Sequence, residues 1–313
     1  MSTGPDYIQF YPTLRCNKSC DFCFNKAIPF TPDISLNQAK AVLYVLQCLT
    51  VKKIDIMGGE PTMHPDIIAF VEEAALRGFS INISSNGSNI PVLQEIMQIG
   101  KDVTIGISVN DRSTLNVVSE FIQKQRPIVK TVYHPAMDSR IAETILSLGP
   151  RQYYLLYRDA MEHEDLREAL PFYEFREIVQ KKFSSPLVGT VSCSGFIPDL
   201  GQYPQLSTAR CPAGTTKLGV TPDGSVFPCN LFFGRNDFRL GNILIDSFET
   251  IWNHRTLDFF RTFGGNACPK TACPLHATCH GGCPAHGLIY GGNLSAPDPR
   301  CAGIPPRERG ILI

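Results

Sequence analysis

The chain has 313 residues, 43% of them hydrophobic, which is enough for one large domain or two with a sizeable core. Its 29 Lys and Arg balance 29 Asp and Glu, so no net field draws it to nucleic acid or to an anionic membrane. Residues 1–6 carry no basic stretch ahead of an apolar core, and no apolar run reaches the roughly 18 residues a membrane span needs, which places the protein in the cytoplasm. There its 12 cysteines stay reduced, and their clustering points to metal ligation over disulfides.

From residue 7 to about 157, short β-branched runs alternate with amphipathic segments, the pattern of parallel strands with helical crossovers. Strands are predicted at 7–11, 53–57, 79–83, 103–109, 128–133 and 152–157. From the second onward they start about 23 to 26 residues apart, the length of one β/α unit. No Gly-x-Gly-x-x-Gly follows the first strand, unlike a doubly wound nucleotide fold. Ser35-Leu-Asn-Gln reads as a capping box for a helix at 39–49, with Cys48 on its apolar face as a packed core thiol. Pro65 precedes a second helix at 66–77.

Residues 158–187 are charged and helical, with solvated faces at Glu162, Glu164, Lys181 and Lys182, and read as a bridge between two halves. After 188 the chain turns rich in Gly, Pro and Cys, as expected where metal organises the fold more than a hydrophobic core does. Runs 216–221 and 225–227 around Pro222-Asp-Gly read as a β-hairpin, and 248–260, with Trp252, as an amphipathic helix. The tail after Cys301 is expected to lie across the surface. The implied division is a core at 1–157, a helical bridge at 158–200 and a cysteine-rich domain at 201–313.

Directly after the first strand come Cys16, Cys20 and Cys23. A structural zinc site wants four closed ligands, and the nearest histidine is His64. A cubane iron–sulfur cluster tolerates three protein thiolates and leaves one iron open. The spacing of three residues then two, with Phe22 before the last cysteine, resembles the radical S-adenosylmethionine (radical SAM) superfamily. In that family the open iron is chelated by the amino and carboxylate groups of SAM. A zinc or disulfide framework is the alternative reading of the three cysteines alone.

The second strand ends in Met57-Gly58-Gly59-Glu60-Pro61. Two glycines at a strand end admit a ligand close to the backbone, and a carboxylate there accepts hydrogen bonds from an ammonium. The sequence resembles the family's Gly-Gly-Glu-Pro motif, which holds the SAM methionine amino group. Ser85 and Asn86 after the third strand, and Ser108 and Asn110 after the fourth, resemble its ribose and carboxylate contacts, with plain turn chemistry as the alternative. Phe22 resembles the aromatic residue near the adenine. Tyr133, His134, Tyr157 and Arg158 end later strands and are further candidates for the cavity wall. The resemblance implies a partial (β/α)6 TIM-type barrel with its ligands at the C-terminal strand ends. It also implies one-electron cleavage of SAM to a 5′-deoxyadenosyl radical that abstracts hydrogen from substrate.

Cys211, Cys229, Cys268, Cys273, Cys279, Cys283 and Cys301 form a second group, which resembles the SPASM extension and its two auxiliary [4Fe-4S] clusters. Gly241-Asn-Ile and the Trp252 segment add to the match; Cys268 and Cys273 depart from it, with four residues between them where the family usually has two. Carried over by position, Cys268, Cys273, Cys279 and Cys301 hold an outer cluster, and Cys211, Cys229 and Cys283 an inner one that lacks a ligand. Residues 202–210 contain no cysteine, which leaves Cys193 as the nearby candidate. It is a fourth ligand, a hydrogen-atom donor as in peptide epimerases of the superfamily, or a structural thiol. His276, His280 and His286 are expected to satisfy local hydrogen bonds.

The resemblance implies an enzyme that modifies a peptide or protein, served by a flavodoxin- or ferredoxin-type electron donor. Because the first cysteine loop begins at residue 16, no room for an N-terminal leader-binding domain is expected. A radical SAM enzyme acting on a small molecule, such as a sugar or cofactor precursor, is one alternative. A non-enzymatic iron–sulfur electron carrier is another, disfavoured because such a carrier has no use for Gly58 to Pro61.

Overall fold

Alternation of apolar and polar residues builds the sheet, seen in a computed structural model that describes residues 4–49 and 51–301. Strands β1 (Tyr7–Phe10), β2 (Lys53–Ile56), β3 (Ser80–Ser85), β4 (Val103–Ser108), β5 (Ile128–Val132) and β6 (Gln152–Leu156) lie parallel in chain order. Helices α1 (Leu36–Gln47), α2 (Ile67–Leu76), α3 (Ile90–Gln98), α4 (Arg112–Gln125) and α5 (Ser139–Ser147) connect them. Each strand falls within two residues of its predicted bounds. One residue set, including Ile8, Phe10, Ile54, Ile56, Ile81, Ile83, Val129 and Leu155, is buried in one core with Val42, Leu46, Phe70, Ile96, Val118 and Ile145 of the helices. Each such side chain contributes about 1.5–3 kcal/mol by leaving water. The alternate set, including Tyr7, Gln9, Lys53, Asp55, Lys130 and Tyr154, faces the lumen.

Ser35 caps α1 in the expected box, its hydroxyl accepting from the Gln38 N–H. Cys48 corrects the core-thiol expectation: it sits at the C-cap, two positions past Leu46, the last of the buried stripe Ala39, Val42, Leu43 and Leu46, and is exposed. After α6 (His163–Glu168) and α7 (Phe172–Lys182) comes an unpredicted strand, β7 (Val188–Val191), parallel to β6. Val-Gly-Thr-Val is short, half exposed and without alternation, so it carries no local strand signal.

The predicted hairpin forms as β8 (Lys217–Val220) and β9 (Ser225–Phe227), with Gly224 at φ +82° in its turn. β8 also pairs parallel with β1, and β10 (Gly241–Asn242) pairs antiparallel with β9. The ten strands therefore form one sheet in the order β10-β9-β8-β1-β2-β3-β4-β5-β6-β7, an open, partial barrel.

The predicted 248–260 helix is interrupted. α8 (Phe248–Trp252) stops at Asn253, a 3₁₀ turn spans Arg255–Leu257, and α9 (Asp258–Arg261) follows. His254 starts the turn by accepting from the Thr256 N–H, and Arg261 ties the pieces together over the Trp252 ring at 4.3 Å. α10 (Pro284–Gly291) completes the elements. Among the described residues no helix is long and apolar enough to cross a membrane, and the tail after Cys301 lies outside them.

One buried ion pair anchors the C-terminal loop. Arg300, 2% exposed, donates to Asp298 at 2.8 Å, to Asp159 at 3.1 Å and to the Arg158 carbonyl at 2.7 Å, and lies over the Tyr157 ring. The Asp298 carboxylate in turn accepts from the Cys283 N–H at 3.0 Å. Arg300→Met leaves that carboxylate buried without its cation, at an expected cost of about 3–5 kcal/mol in denaturant unfolding. The double variant Arg300→Met with Asp298→Asn is expected to recover part of the loss, and equal stability of Arg300→Met and the unmodified protein would contradict this.

Candidate active site

The site begins where the chain leaves β1 and runs beside the end of β2. The Gly59 N–H donates to the Thr13 carbonyl at 3.0 Å and the Glu60 N–H to the Arg15 carbonyl at 2.7 Å. Side chains are excluded from this seam: a Cβ on Gly58, which sits at φ +138°, would lie 2.3 Å from the Thr13 oxygen, and one on Gly59 2.1 Å from the Arg15 oxygen. Both glycines border the cavity, and close approach of the cysteine-loop backbone is a further reason for glycine at these positions.

Glu60 is fully buried. Its carboxylate accepts from the Thr62 N–H at 3.1 Å, the Thr62 hydroxyl at 2.7 Å, the Ser85 hydroxyl at 2.8 Å and the Asn86 N–H at 2.6 Å. Its acceptor capacity is thus turned onto the ends of β2 and β3. Pro61 opens the 3₁₀ turn Pro61–Met63 behind it.

Beyond the seam, Cys16, Cys20 and Cys23 face a cavity of about 1480 Å³ at the C-terminal ends of the strands, continuous with the lumen. The Cys23 N–H donates to the Cys20 carbonyl at 3.1 Å, and Cys16 Sγ lies 3.8 Å from the Asn86 amide nitrogen. Burial, then the neighbouring thiols, push Cys20 upward; in Cys23 the same burial leads. Phe22, Gly58, Gly59, Ser85, Asn86, Ser108 and Asn110 border the same cavity, whereas Glu60 and Pro61 do not. Asn110 Oδ1 also accepts from the Val132 N–H at 2.8 Å.

Of the later strand-end candidates, Tyr157 lines the cavity. Tyr133 packs on Phe175, His134 pairs with Glu168 and Arg158 with Asp165. Sequence reasoning missed Lys18 and Lys130, both on the cavity wall. Lys18 Nζ donates to Thr114 Oγ1 at 2.7 Å, and Lys130 Nζ to Ser84 Oγ at 2.7 Å. A charge within the apolar run Ile-Val-Lys-Thr-Val of β5 was the available signal for Lys130.

The later cysteines gather in two places. Cys268, Cys273, Cys279 and Cys301 border one small cavity. Cys211, Cys229 and Cys283 are buried, and Cys193 is partly buried against the same core. The unpredicted β7 delivers Cys193 there, because the chain leaving it wedges Gly195 against Gly282. The Gly195 carbonyl accepts from the N–H groups of His280 at 2.8 Å and Gly282 at 3.1 Å. Burial pushes the Cys211 thiol up to about 12 and the Cys229 thiol up to about 11. Such thiols become ligands when a metal centre displaces their protons, which leave to solvent.

No three of the described His, Cys, Asp or Glu side chains converge as one metal ion requires. A tetrahedral zinc site, with metal–sulfur bonds of about 2.3 Å, spaces its sulfurs roughly 3.8 Å apart. In a four-iron cluster each thiolate takes its own iron, so its thiols need not converge on one ion. The histidines have other partners: His276 Nε2 meets the Cys268 carbonyl at 3.0 Å, His280 Nδ1 the Arg210 carbonyl at 2.9 Å, and His286 Nε2 accepts from the Ala160 N–H at 2.9 Å.

A partial parallel barrel with a three-cysteine loop at the C-terminal ends of its strands, joined to a domain with two thiol cages, defines an iron–sulfur enzyme built for SAM. The chain belongs to the radical SAM superfamily, whose family model matches residues 10–131, and carries a SPASM iron–sulfur cluster-binding domain matched over residues 211–284. It is therefore an enzyme of that class, using SAM and [4Fe-4S] clusters. It is 23% identical to the antilisterial bacteriocin subtilosin biosynthesis protein AlbA of Bacillus subtilis, over 91% of this chain and 68% of that one. It is 26% identical to the mycofactocin maturase MftC of Mycobacterium tuberculosis, over 92% and 81%, and 23% identical to the PqqA peptide cyclase of Streptomyces rochei, over 95% and 89%. In fold it is similar to SAM-bound SuiB of Streptococcus suis, with a TM-score of 0.71, 18% identity and coverage of 96% of this chain and 77% of that one.

Gly59→Ala drives a methyl group into the Arg15 carbonyl and is expected to cost about 1–3 kcal/mol. Iron retained by the first cysteine loop should fall with it. Gly100→Ala, where a Cβ meets nothing within 4 Å, is the control. Unchanged melting and iron content in Gly59→Ala would show that the seam is not closed.

Proposed function

We propose that this chain is a peptide maturase: a radical SAM enzyme that removes a hydrogen atom from a residue of a peptide or protein substrate. The observation that carries this reading is the set of relatives aligned over nearly the whole chain, which includes a bacteriocin biosynthesis protein, a maturase and a peptide cyclase. The lumen suits such a substrate, since Tyr7, Gln9, Asp55, Lys130 and Tyr154 offer donors and acceptors for peptide amides along a cavity of about 1480 Å³.

Cys16, Cys20 and Cys23 would hold three irons of the first cluster. Phe22, Gly58, Gly59, Ser85, Asn86, Ser108 and Asn110 would frame SAM, with Glu60 holding the strand ends that carry them. When bound, cluster and SAM supply a 5′-deoxyadenosyl radical strong enough to break an unactivated carbon–hydrogen bond, which no side-chain base does at neutral pH. The protein's own part is to bind, orient and exclude water.

Cys268, Cys273, Cys279 and Cys301 are assigned to the outer auxiliary cluster, and Cys211, Cys229, Cys283 and Cys193 to the inner one. The close approach of Gly195 to Gly282, which brings the chain at Cys193 beside Cys283, favours ligation by Cys193 over its role as a hydrogen-atom donor. We assign 1–157 to the barrel core, 158–200 to the bridge and 201–313 to the auxiliary domain. A flavodoxin- or ferredoxin-type protein would deliver the electron in a reducing cytoplasm, where free thiols persist.

Reconstituted protein should bind about 12 iron atoms, and Cys193→Ala about four fewer. Full iron in Cys193→Ala, with product lost while SAM cleavage continues, would instead make Cys193 a hydrogen-atom donor. Co-expression with short peptides encoded beside the gene should give a mass change in one of them that disappears in Cys20→Ala. Formation of 5′-deoxyadenosine triggered by a small molecule and by none of the peptides would overturn the peptide reading.

A further inference from the structure

Lys217 has no place in the chemistry described so far, yet it stands where the barrel meets the inner thiol cage. It is the first residue of β8, paired with Tyr7 of β1 on one side. On the other side the β8–β9 register pairs Gly219 with Phe227, and on the face of β8 that Lys217 shares, a Cβ on Gly219 would lie 3.1 Å from the Cys229 carbonyl carbon. Its N–H donates to the carbonyl of Pro212, the residue after Cys211, at 3.0 Å. Its side chain is half-buried on the lumen wall. Burial works against its charge, and the sulfurs of Cys229, Cys211, Cys193 and Cys283, when ionised, more than offset that and hold its ammonium above the ordinary lysine range. None of the ion pairs among the described residues involves it.

We propose that Lys217 is the counter-charge of the inner auxiliary cluster and sets its reduction potential, which rests on the reading that this cage holds a cluster. Four thiolates around an oxidised cubane core carry a net charge of about −2, and one added electron makes it about −3. A buried charge of that size is costly without a cation nearby. A fixed ammonium favours the more negative, reduced state more strongly, and so raises the potential. A lysine is suited to this place because its flexible stem brings a compact charge to the cage from the β8 backbone. On this reading Lys217 acts through the cluster, without touching the reacting atoms.

The test is a potentiometric titration with dithionite, followed by electron paramagnetic resonance, on the full-length reconstituted enzyme. The inner-cluster signal is the one that Cys229→Ala removes. In Lys217→Met that signal should titrate at a more negative potential with iron content unchanged, and Lys217→Arg should restore it. Unchanged potential in Lys217→Met, or equal shifts in the Met and Arg variants, overturns the proposal. If Lys217→Met fails to retain the inner cluster, loss in Lys217→Gln with retention in Lys217→Arg supports the role of charge, and loss in both overturns it. Failure of the cage reading is seen separately, as wild-type iron that Cys229→Ala does not lower, and it removes the role of Lys217 as well.

Discussion

The mouth of the barrel depends on one seam, where residues 13–15 lie against Gly59 and Glu60. Two backbone hydrogen bonds close it, and two glycines let the chains approach to a distance no side chain tolerates. Behind it the buried Glu60 carboxylate collects donors from Thr62, Ser85 and Asn86. A buried carboxylate is tolerable only when it is satisfied in this way, so the exits of β1, β2 and β3 are set together or not at all. The three cysteines follow directly from that seam, which fixes their loop above the lumen.

A second consequence of the topology is that the auxiliary domain is not an appendage. Its hairpin continues the barrel sheet through β8 and β1, and its C-terminal loop returns to the end of β6 through Arg300. Between these attachments the loop after β7 sets Gly195 against Gly282, beside Cys283. The segments that carry Cys193 and the later cysteines are therefore held together, and their position relative to the lumen is fixed by one continuous sheet.

Much of this was legible in the sequence wherever the signal was local. Period-two runs marked six strands, Ser35 and Gln38 marked a helix start, and the cysteine spacing with Gly58 to Pro61 marked the family. What was not legible depends on partners distant in the chain. Val188-Gly-Thr-Val becomes a strand because β6 offers an edge, and only then does the chain at Cys193 meet Gly282 beside Cys283. The pairing of β8 with β1 spans about two-thirds of the sequence and leaves no local trace. Cys48 and the 248–260 segment show the opposite error, in which periodicity continued past a helix end; a cap and a His254-led turn decided the outcome. The need for glycine at 58 and 59 was visible, but the neighbouring chain segment that also demands it was not.

The central claim is that the cluster held by Cys16, Cys20 and Cys23 presents an open iron to SAM. The most direct measurement is electron paramagnetic resonance of the dithionite-reduced, fully reconstituted enzyme before and after addition of SAM. One signal, absent from Cys16→Ala, should change shape on SAM addition while the auxiliary signals stay fixed. An intact first-loop signal that SAM leaves untouched would contradict the account.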